Sequence, residues 1–390
     1  MKELYNRLKT LCVFREILND SVIAALQSFL EKPDSSAYAA FASALYEANG
    51  GDLAAHVRLL CENSANVYVK TVGRGEEPAR FVYNALRAEL ELLQRVCALT
   101  KRDLCSQIGE TADSAFLPDF ASEELPLKEI YLHRTENIGR YGYGMYARHT
   151  AFAVDEEKGI VPVRHPDKIA LSHLIAYERE RGIVLNNTKA LLAGKPAANI
   201  LLSGDAGTGK STTVKAVANA LSGEGLRIIE IRKDQLRLIP GILDELSDNP
   251  LKFILFIDDL SFGKDDDSFS ALKAVLEGSV TARSGNVLVY ATSNRRHIVK
   301  ETFSDREGDD IHRNDTMQEL VSLSERFGIH ITFSRPTKET YLRIVRHLTA
   351  EKGIDMDDTE LTLSAERFAL ERGGRSARLA GQFVDSLLSR

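Results

Sequence analysis

Up to about residue 108 the apolar positions recur at helical spacing. Leu11, Phe14, Ile17 and Leu18, and later Leu86, Leu90, Leu93 and Val96, fall at three- and four-residue steps, the stripe of an amphipathic helix. Gly50-Gly51 ahead of Asp52 reads as a helix stop followed by a new N-cap, and Gly73-Arg74-Gly75 with Pro78 as a second break. The pattern predicts a bundle of four or five helices over 1–108, with no catalytic spacing in it. From 109 to 168 the periodicity loosens into a connector. Its Gly139–Arg148 stretch mixes glycine, tyrosine and arginine, and a hairpin is expected over Ala151 to Val163, turning at Asp155–Gly159. That mixture suits either base stacking or rings packed on a neighbouring domain, and the hairpin favours the second.

Over 169–335 the period changes again. Short apolar runs at Ile200–Leu202, Leu226–Ile231, Phe253–Ile257, Val287–Ala291 and Ile329–Phe333 are separated mostly by helical stretches. This alternation predicts an α/β core with a mostly parallel sheet between helices. After Pro336 the pattern is helical to residue 390. No internal repeat or low-complexity tract interrupts the chain.

Composition narrows the class. Of 390 residues, 44% are hydrophobic and 27% charged, the balance of a globular protein rather than a disordered one. No apolar run approaches a membrane span. The N-terminal Met1-Lys2-Glu3-Leu4-Tyr5-Asn6 is polar where a secretory signal would be apolar, so a cytoplasmic location is expected. A net charge of −6 argues against an overall electrostatic footprint for nucleic acid and leaves a local basic patch open. The cysteines at 12, 61, 97 and 105 form no C-x-x-C pair and are expected to be free thiols.

The chemistry concentrates at Gly204-Asp205-Ala206-Gly207-Thr208-Gly209-Lys210-Ser211-Thr212, which matches G-x-x-x-x-G-K-[ST]. A strand precedes it, and a helix through Val214, Val217 and Leu221 follows. Glycines let the backbone curl so that its N–H groups face phosphate oxygens, and the helix N-terminus adds positive potential. Lys210 is expected on the β- and γ-phosphates of ATP, and the Ser211 hydroxyl on Mg²⁺. A carboxylate is needed at the end of a neighbouring buried strand, and Phe253–Ile257 runs into Asp258-Asp259. Asp258 is assigned to the metal and Asp259 to the attacking water.

With these residues in place the chain resembles the AAA+ ATPases. The resemblance implies a C-terminal helical lid over 336–390 and further site residues. Asn294, ending Ala291-Thr292-Ser293-Asn294, stands where that superfamily has its sensor-1 residue. Arg326, in Ser322-Leu323-Ser324-Glu325-Arg326-Phe327-Gly328, stands where it has the arginine finger, which implies a homo-oligomer, a ring being one form. Gly373-Gly374-Arg375-Ser376-Ala377-Arg378 resembles the lid's sensor-2 region, with Arg378 preferred over Arg375. Ile175 is placed against the base, although Tyr177 stands where a glycine is common. More narrowly, Asp258–Phe262, Ala291–His297 and Gly373–Ser376 resemble an uncharacterised bacterial family of P-loop ATPases carried as a domain of unknown function, over roughly 160–390.

Two departures shape the functional expectation. Many AAA+ proteins have glutamate where Asp259 stands; aspartate draws the carboxylate back by about 1.5 Å, and misplacement on the order of 1 Å can cost about a hundredfold in rate. Residues 232–241 lack the aromatic pore residue of threading unfoldases. Arg232, Lys233, Arg237, Arg295 and Arg296 would either line a channel for single-stranded nucleic acid or be a loop paired with acids. Asp265-Asp266-Asp267 reads as a helix entry and 302–314 as an exposed polar loop. The leading expectation is an Mg²⁺-dependent ATPase acting at a subunit interface on an unknown protein or nucleic-acid client, which the N-terminal bundle selects. The alternative is a nucleotide-gated switch or loader that hydrolyses rarely.

Overall fold

The structure is a computed structural model, and it describes residues 1–108, 116–260, 272–273, 276, 285–294 and 325–389. Arg295, Arg296, the acidic run 265–267, the loop 302–314 and Ser322–Ser324 lie outside these. The chain forms two compact units, Met1–Arg148 and His149–Arg390.

The first unit is helical, with more and shorter helices than periodicity predicts. Lys2–Leu8, Ser21–Glu31, Ser35–Asn49, Leu53–Glu62, Val67–Gly73, Arg80–Cys97 and Lys101–Cys105 precede residue 108. Polar caps set most of the starts: Asp20, Asp34, Asp52, Asn66 and Thr100 each accept first-turn amides. Gly50, at φ 62°, ends the third helix. Leu11, Phe14, Ile17, Leu86, Leu90, Leu93 and Val96 share one buried core. All four cysteines are free thiols, with Cys61 and Cys97 buried.

The expected connector is divided by the fold. Helices Leu127–Glu136, Ile138–Tyr141 and Met145–Arg148 lie within the first unit, where Tyr131 packs edge-on against Phe14 at 5.3 Å. The glycine–tyrosine–arginine stretch is therefore largely helical. The Arg134 guanidinium sits 4.5 Å over the Tyr141 ring, and Tyr146 is buried, so these rings are engaged in packing.

In the second unit, strands β1 (Ala151–Asp155), β2 (Gly159–Pro162), β3 (Ile200–Gly204), β4 (Leu226–Ile231), β5 (Lys252–Ile257), β6 (Val287–Ser293) and β7 (Ile329–Phe333) form one sheet in the order β2-β1-β4-β5-β6-β3-β7. Every pairing is parallel except the β1–β2 hairpin. The hairpin is thus the edge of the sheet rather than a linker: Phe152 and Val154 are buried, β1 pairs with β4, and the Gln235 side chain donates to the Val154 carbonyl at 2.9 Å. Phe253–Ile257 is wholly buried, as a strand covered on both faces must be. The order interleaves β3 between β6 and β7, so the carboxyl ends of β3, β5 and β6 lie side by side, which is where ligands bind in such sheets.

The C-terminal helices Lys338–Glu351, Asp358–Glu371 and Ala377–Leu388 have a small core of their own, with Tyr341, Val345, Ala365, Phe383 and Val384 at its centre. Among the described residues no helix is long and apolar enough to cross a membrane.

Candidate nucleotide site

The loop after β3 is fixed by close backbone approach. Gly204 has φ 132°, and a Cβ there would lie 2.1 Å from the Phe333 carbonyl oxygen of β7. Gly207, at φ 75°, faces the C-terminal helices: a Cβ would meet Ser376 Oγ and Arg378 Cβ at 3.1 Å each, while the Arg378 amide donates to the Gly207 carbonyl at 3.2 Å. Only glycine fits both requirements. The helix Lys210–Leu221 then starts from Gly209 with no side-chain cap, leaving its first amides for an anion.

Lys210 is 5% exposed. Its Nζ donates to the carbonyls of Gly204 (2.9 Å) and Asp205 (2.8 Å) and to Asn294 Oδ1 (3.0 Å). Burial lowers its pKa, and the negative charges of Asp205, Asp258 and Asp259 oppose that shift. Asn294 turns its other end to Asp259, whose Oδ1 accepts from Asn294 Nδ2 at 2.7 Å. Asp258 receives three donors on one oxygen: Oδ1 accepts from Ser211 Oγ (2.6 Å), Thr292 Oγ1 (2.5 Å) and the Asp259 amide (3.2 Å). Asp259 holds a left-handed backbone at φ 54°, uncommon outside glycine although aspartate enters it more readily than most residues.

A cleft of about 690 Å³ lies over these groups, between the P-loop and the lid. Gly207, Thr208, Gly209, Lys210, Ser211 and Thr212 line it, as do Asp258, Asp259 and Asn294. Gly204, Asp205 and Ala206 are not in its wall; the first two act from behind, through the carbonyls that hold Lys210. The wall also includes His173 to Tyr177, with Ile175 among them, and Ile344 and Leu348 of the C-terminal helices. Such an apolar lining suits a nucleobase.

Tyr177 explains why glycine is common at its position. It adopts φ 57°, after Ala176 at φ 70°, a conformation in which glycine carries no penalty. Here the ring packs on Phe333 at 5.1 Å and the hydroxyl donates to the Ser334 carbonyl at 2.6 Å. Burial pushes the phenol's pKa up to about 12.

The lid arginines separate. Arg378 lines the cleft, whereas Arg375 forms a two-pronged bond with Glu366 at 2.8 and 2.6 Å, a bond that also holds the Glu366 carboxyl below its usual range. The Arg375 fork is thus occupied within the C-terminal helices, and Arg375 is not in the cleft wall. Arg326 does not line the cleft of its own chain. The loop cations are also paired, Arg232 with Asp234 at 3.3 Å and Arg237 with Glu156 at 3.5 Å, which favours the solvated loop over a nucleic-acid channel.

Sequence reasoning passed over several residues. Thr292 is 2% exposed; its hydroxyl donates to the Asp258 carboxylate and accepts from the Asp259 amide, a role with no signal in the sequence. Arg335, just beyond β7, pairs with Asp205 of the P-loop at 3.3 Å. The donor set at Ser211 and Asp258 is oxygen only, which fits Mg²⁺, and the curled loop with its uncapped helix fits a polyphosphate.

A comparison with the curated proteins gives no match. Solved structures similar to the chain include the RuvB Holliday junction branch migration motor of Thermotoga maritima, at 16% identity and a TM-score of 0.37, over 56% of this chain and 64% of that one. A mutant of the same RuvB aligns at 16% identity and a TM-score of 0.39, over 58% of this chain and 66% of that one. The chain thus spans less than two thirds of the length of either. The model of one family, described as "Protein of unknown function (DUF815)", matches residues 147–390. That is more than half of the chain and includes all of its second unit, with its mostly parallel sheet, P-loop motif and C-terminal helices: the protein belongs to the DUF815 family.

Proposed function

We propose that the protein is an AAA+ ATPase that binds ATP with Mg²⁺ in this cleft and hydrolyses it slowly, driving a conformational change on a client selected by its N-terminal unit. The observation that carries the reading is the continuous polar chain Lys210–Asn294–Asp259 lying beside Ser211–Asp258–Thr292 at the mouth of a glycine-formed loop.

In this reading the amides from Gly207 to Thr212 take the phosphate oxygens, and Lys210 exchanges its carbonyl partners for them. Ser211 and Asp258 would hold the metal. Bound there, Mg²⁺ would neutralise charge on the β- and γ-phosphates as it develops. Asp259 accepts the proton of the attacking water, while the Asn294 amide orients Asp259 and that water. Ile175 packs on the base, and Arg378 carries the state of the phosphates to the lid. Arg326 completes the site of an adjacent copy, so the active form is a homo-oligomer, with a ring as one arrangement.

The test is ATP turnover per chain against protein concentration, with Arg326→Ala in parallel. Turnover should rise with concentration in the parent and collapse in the variant; a rate independent of both would remove the shared site. A second reading, a switch or loader with rare hydrolysis, is favoured by the short Asp259 carboxylate already bonded to Asn294. Rapid multiple turnover without any partner would exclude it.

A further inference from the structure

Both carboxylates of the site depend on a side chain to which neither the P-loop motif nor the resemblance assigned a role. Thr292 lies in β6, next to β5, whose end carries Asp258 and Asp259. Its hydroxyl is used in both directions. It donates to Asp258 Oδ1 at 2.5 Å and accepts from the Asp259 amide at 3.0 Å, while the Thr292 carbonyl accepts from the Leu260 amide at 2.7 Å. Three consecutive residues past β5 are thus bound to one residue of β6.

Each bond has a consequence. Among the described residues every donor to Asp258 falls on Oδ1, so the carboxylate is held with Oδ2 unbonded. Asp259 sits in the left-handed region, uncommon outside glycine although aspartate enters it more readily than most residues. The bond from its amide to Thr292 Oγ1 constrains it there. The side chain then turns toward Asn294, just past the end of β6. A threonine at 2% exposure whose one hydroxyl satisfies both demands does more than fill space.

We propose that Thr292 is a positioning residue for both halves of the reaction: it orients Asp258 for the Mg²⁺ ion and holds Asp259 in the left-handed conformation that presents its carboxylate to water. This rests on the cleft being the nucleotide site. Thr292→Val keeps the shape and removes both bonds; Thr292→Ser keeps the hydroxyl.

The test titrates Mg²⁺ into parent, Thr292→Val, Thr292→Ser and Lys210→Ala, each with a fluorescent ATP analogue, and follows binding and turnover separately. The valine variant should need about tenfold more Mg²⁺ for half-maximal binding, as when a residue supporting a metal ligand is lost. Its turnover should fall at least about tenfold, with affinity for the metal-free nucleotide unchanged. The serine variant should stay within about twofold of the parent on every measure. Should the valine variant not fold, Thr292→Cys, which keeps the volume and weakens both bonds, reads the same quantities.

A parent and valine variant with equal Mg²⁺ dependence and turnover, or serine as damaging as valine, would overturn the assignment while leaving the nucleotide site intact. A parent that binds no nucleotide, or a Lys210→Ala variant that binds as well as the parent, would instead overturn the site and this inference with it.

Discussion

In the first unit Glu89 accepts hydrogen bonds from three consecutive amides, those of Cys12, Val13 and Phe14, at 2.8 to 3.1 Å, and from the Cys12 thiol at 3.0 Å. In the second unit Asp258 also accepts three, from Ser211, Thr292 and the Asp259 amide. Glu89 is 8% exposed and uses both oxygens on the protein; Asp258 is exposed at the cleft, and among the described residues all of its donors fall on one oxygen. The first arrangement is closed, so it tethers the turn at Cys12–Phe14 to the helix Arg80–Cys97 and has nothing left to offer a ligand. Among the described residues the second uses one oxygen only, in a cleft that the P-loop also lines. Hydrogen-bond number does not separate a structural carboxylate from a functional one; what separates them is whether an oxygen is left over where a ligand can reach it.

Substitutions at the two carboxylates sharpen the contrast. Asp258→Ala should lower ATP turnover by about 10²–10³-fold, the range seen when a group stabilising the transition state is removed, while moving stability by less than about 1 kcal/mol. Steady-state turnover with thermal melting checks both. Glu89→Ala should do the opposite. It strands three amides, two of them on the buried residues Val13 and Phe14, and should cost about 3 kcal/mol, seen as a lower melting temperature of the first unit. Turnover per folded chain should stay within about twofold of the parent. A Glu89 variant that keeps its stability and loses turnover would break the comparison.

A smaller effect separates the lid arginines by the same logic of occupied and available groups. Arg378→Ala, removing a group that lines the cleft, should weaken ATP binding by about tenfold, a single charge-assisted bond. Arg375→Ala, whose fork is filled by Glu366, should leave affinity within about twofold and lower only lid stability. Equal losses of affinity would place both on the nucleotide.

These distinctions also mark what was legible in the sequence. The P-loop was, because its glycines, lysine and serine are contiguous and their demands local. The strands were, because five buried apolar runs stood between helical stretches; their predicted starts and ends match the structure within two residues. The hairpin could be read as a hairpin, but not as a sheet edge, because β3 and helices on either side of it separate it from its partner β4, and parallel pairing leaves no local signal. In the first unit the stripe exposed the long helices, whereas Lys2–Leu8, Val67–Gly73 and Lys101–Cys105 are too short to show a period and depend on caps and packing. Within the site, Thr292 was invisible because its role exists only when β5 and β6 lie side by side, 34 residues apart in sequence at the Asp258 bond. Arg335 on Asp205, 130 residues apart, is the same case. Choosing between Arg375 and Arg378 required knowing where Glu366 sits.

The most direct test of the central claim is equilibrium titration of a fluorescent ATP analogue against the parent protein and Lys210→Ala, with and without Mg²⁺. The parent should bind about one nucleotide per chain, more tightly with Mg²⁺, and the variant should lose affinity by about a hundredfold, as when a buried donor to the phosphates is removed. Equal affinity in the two proteins would contradict the assignment of this cleft as the nucleotide site.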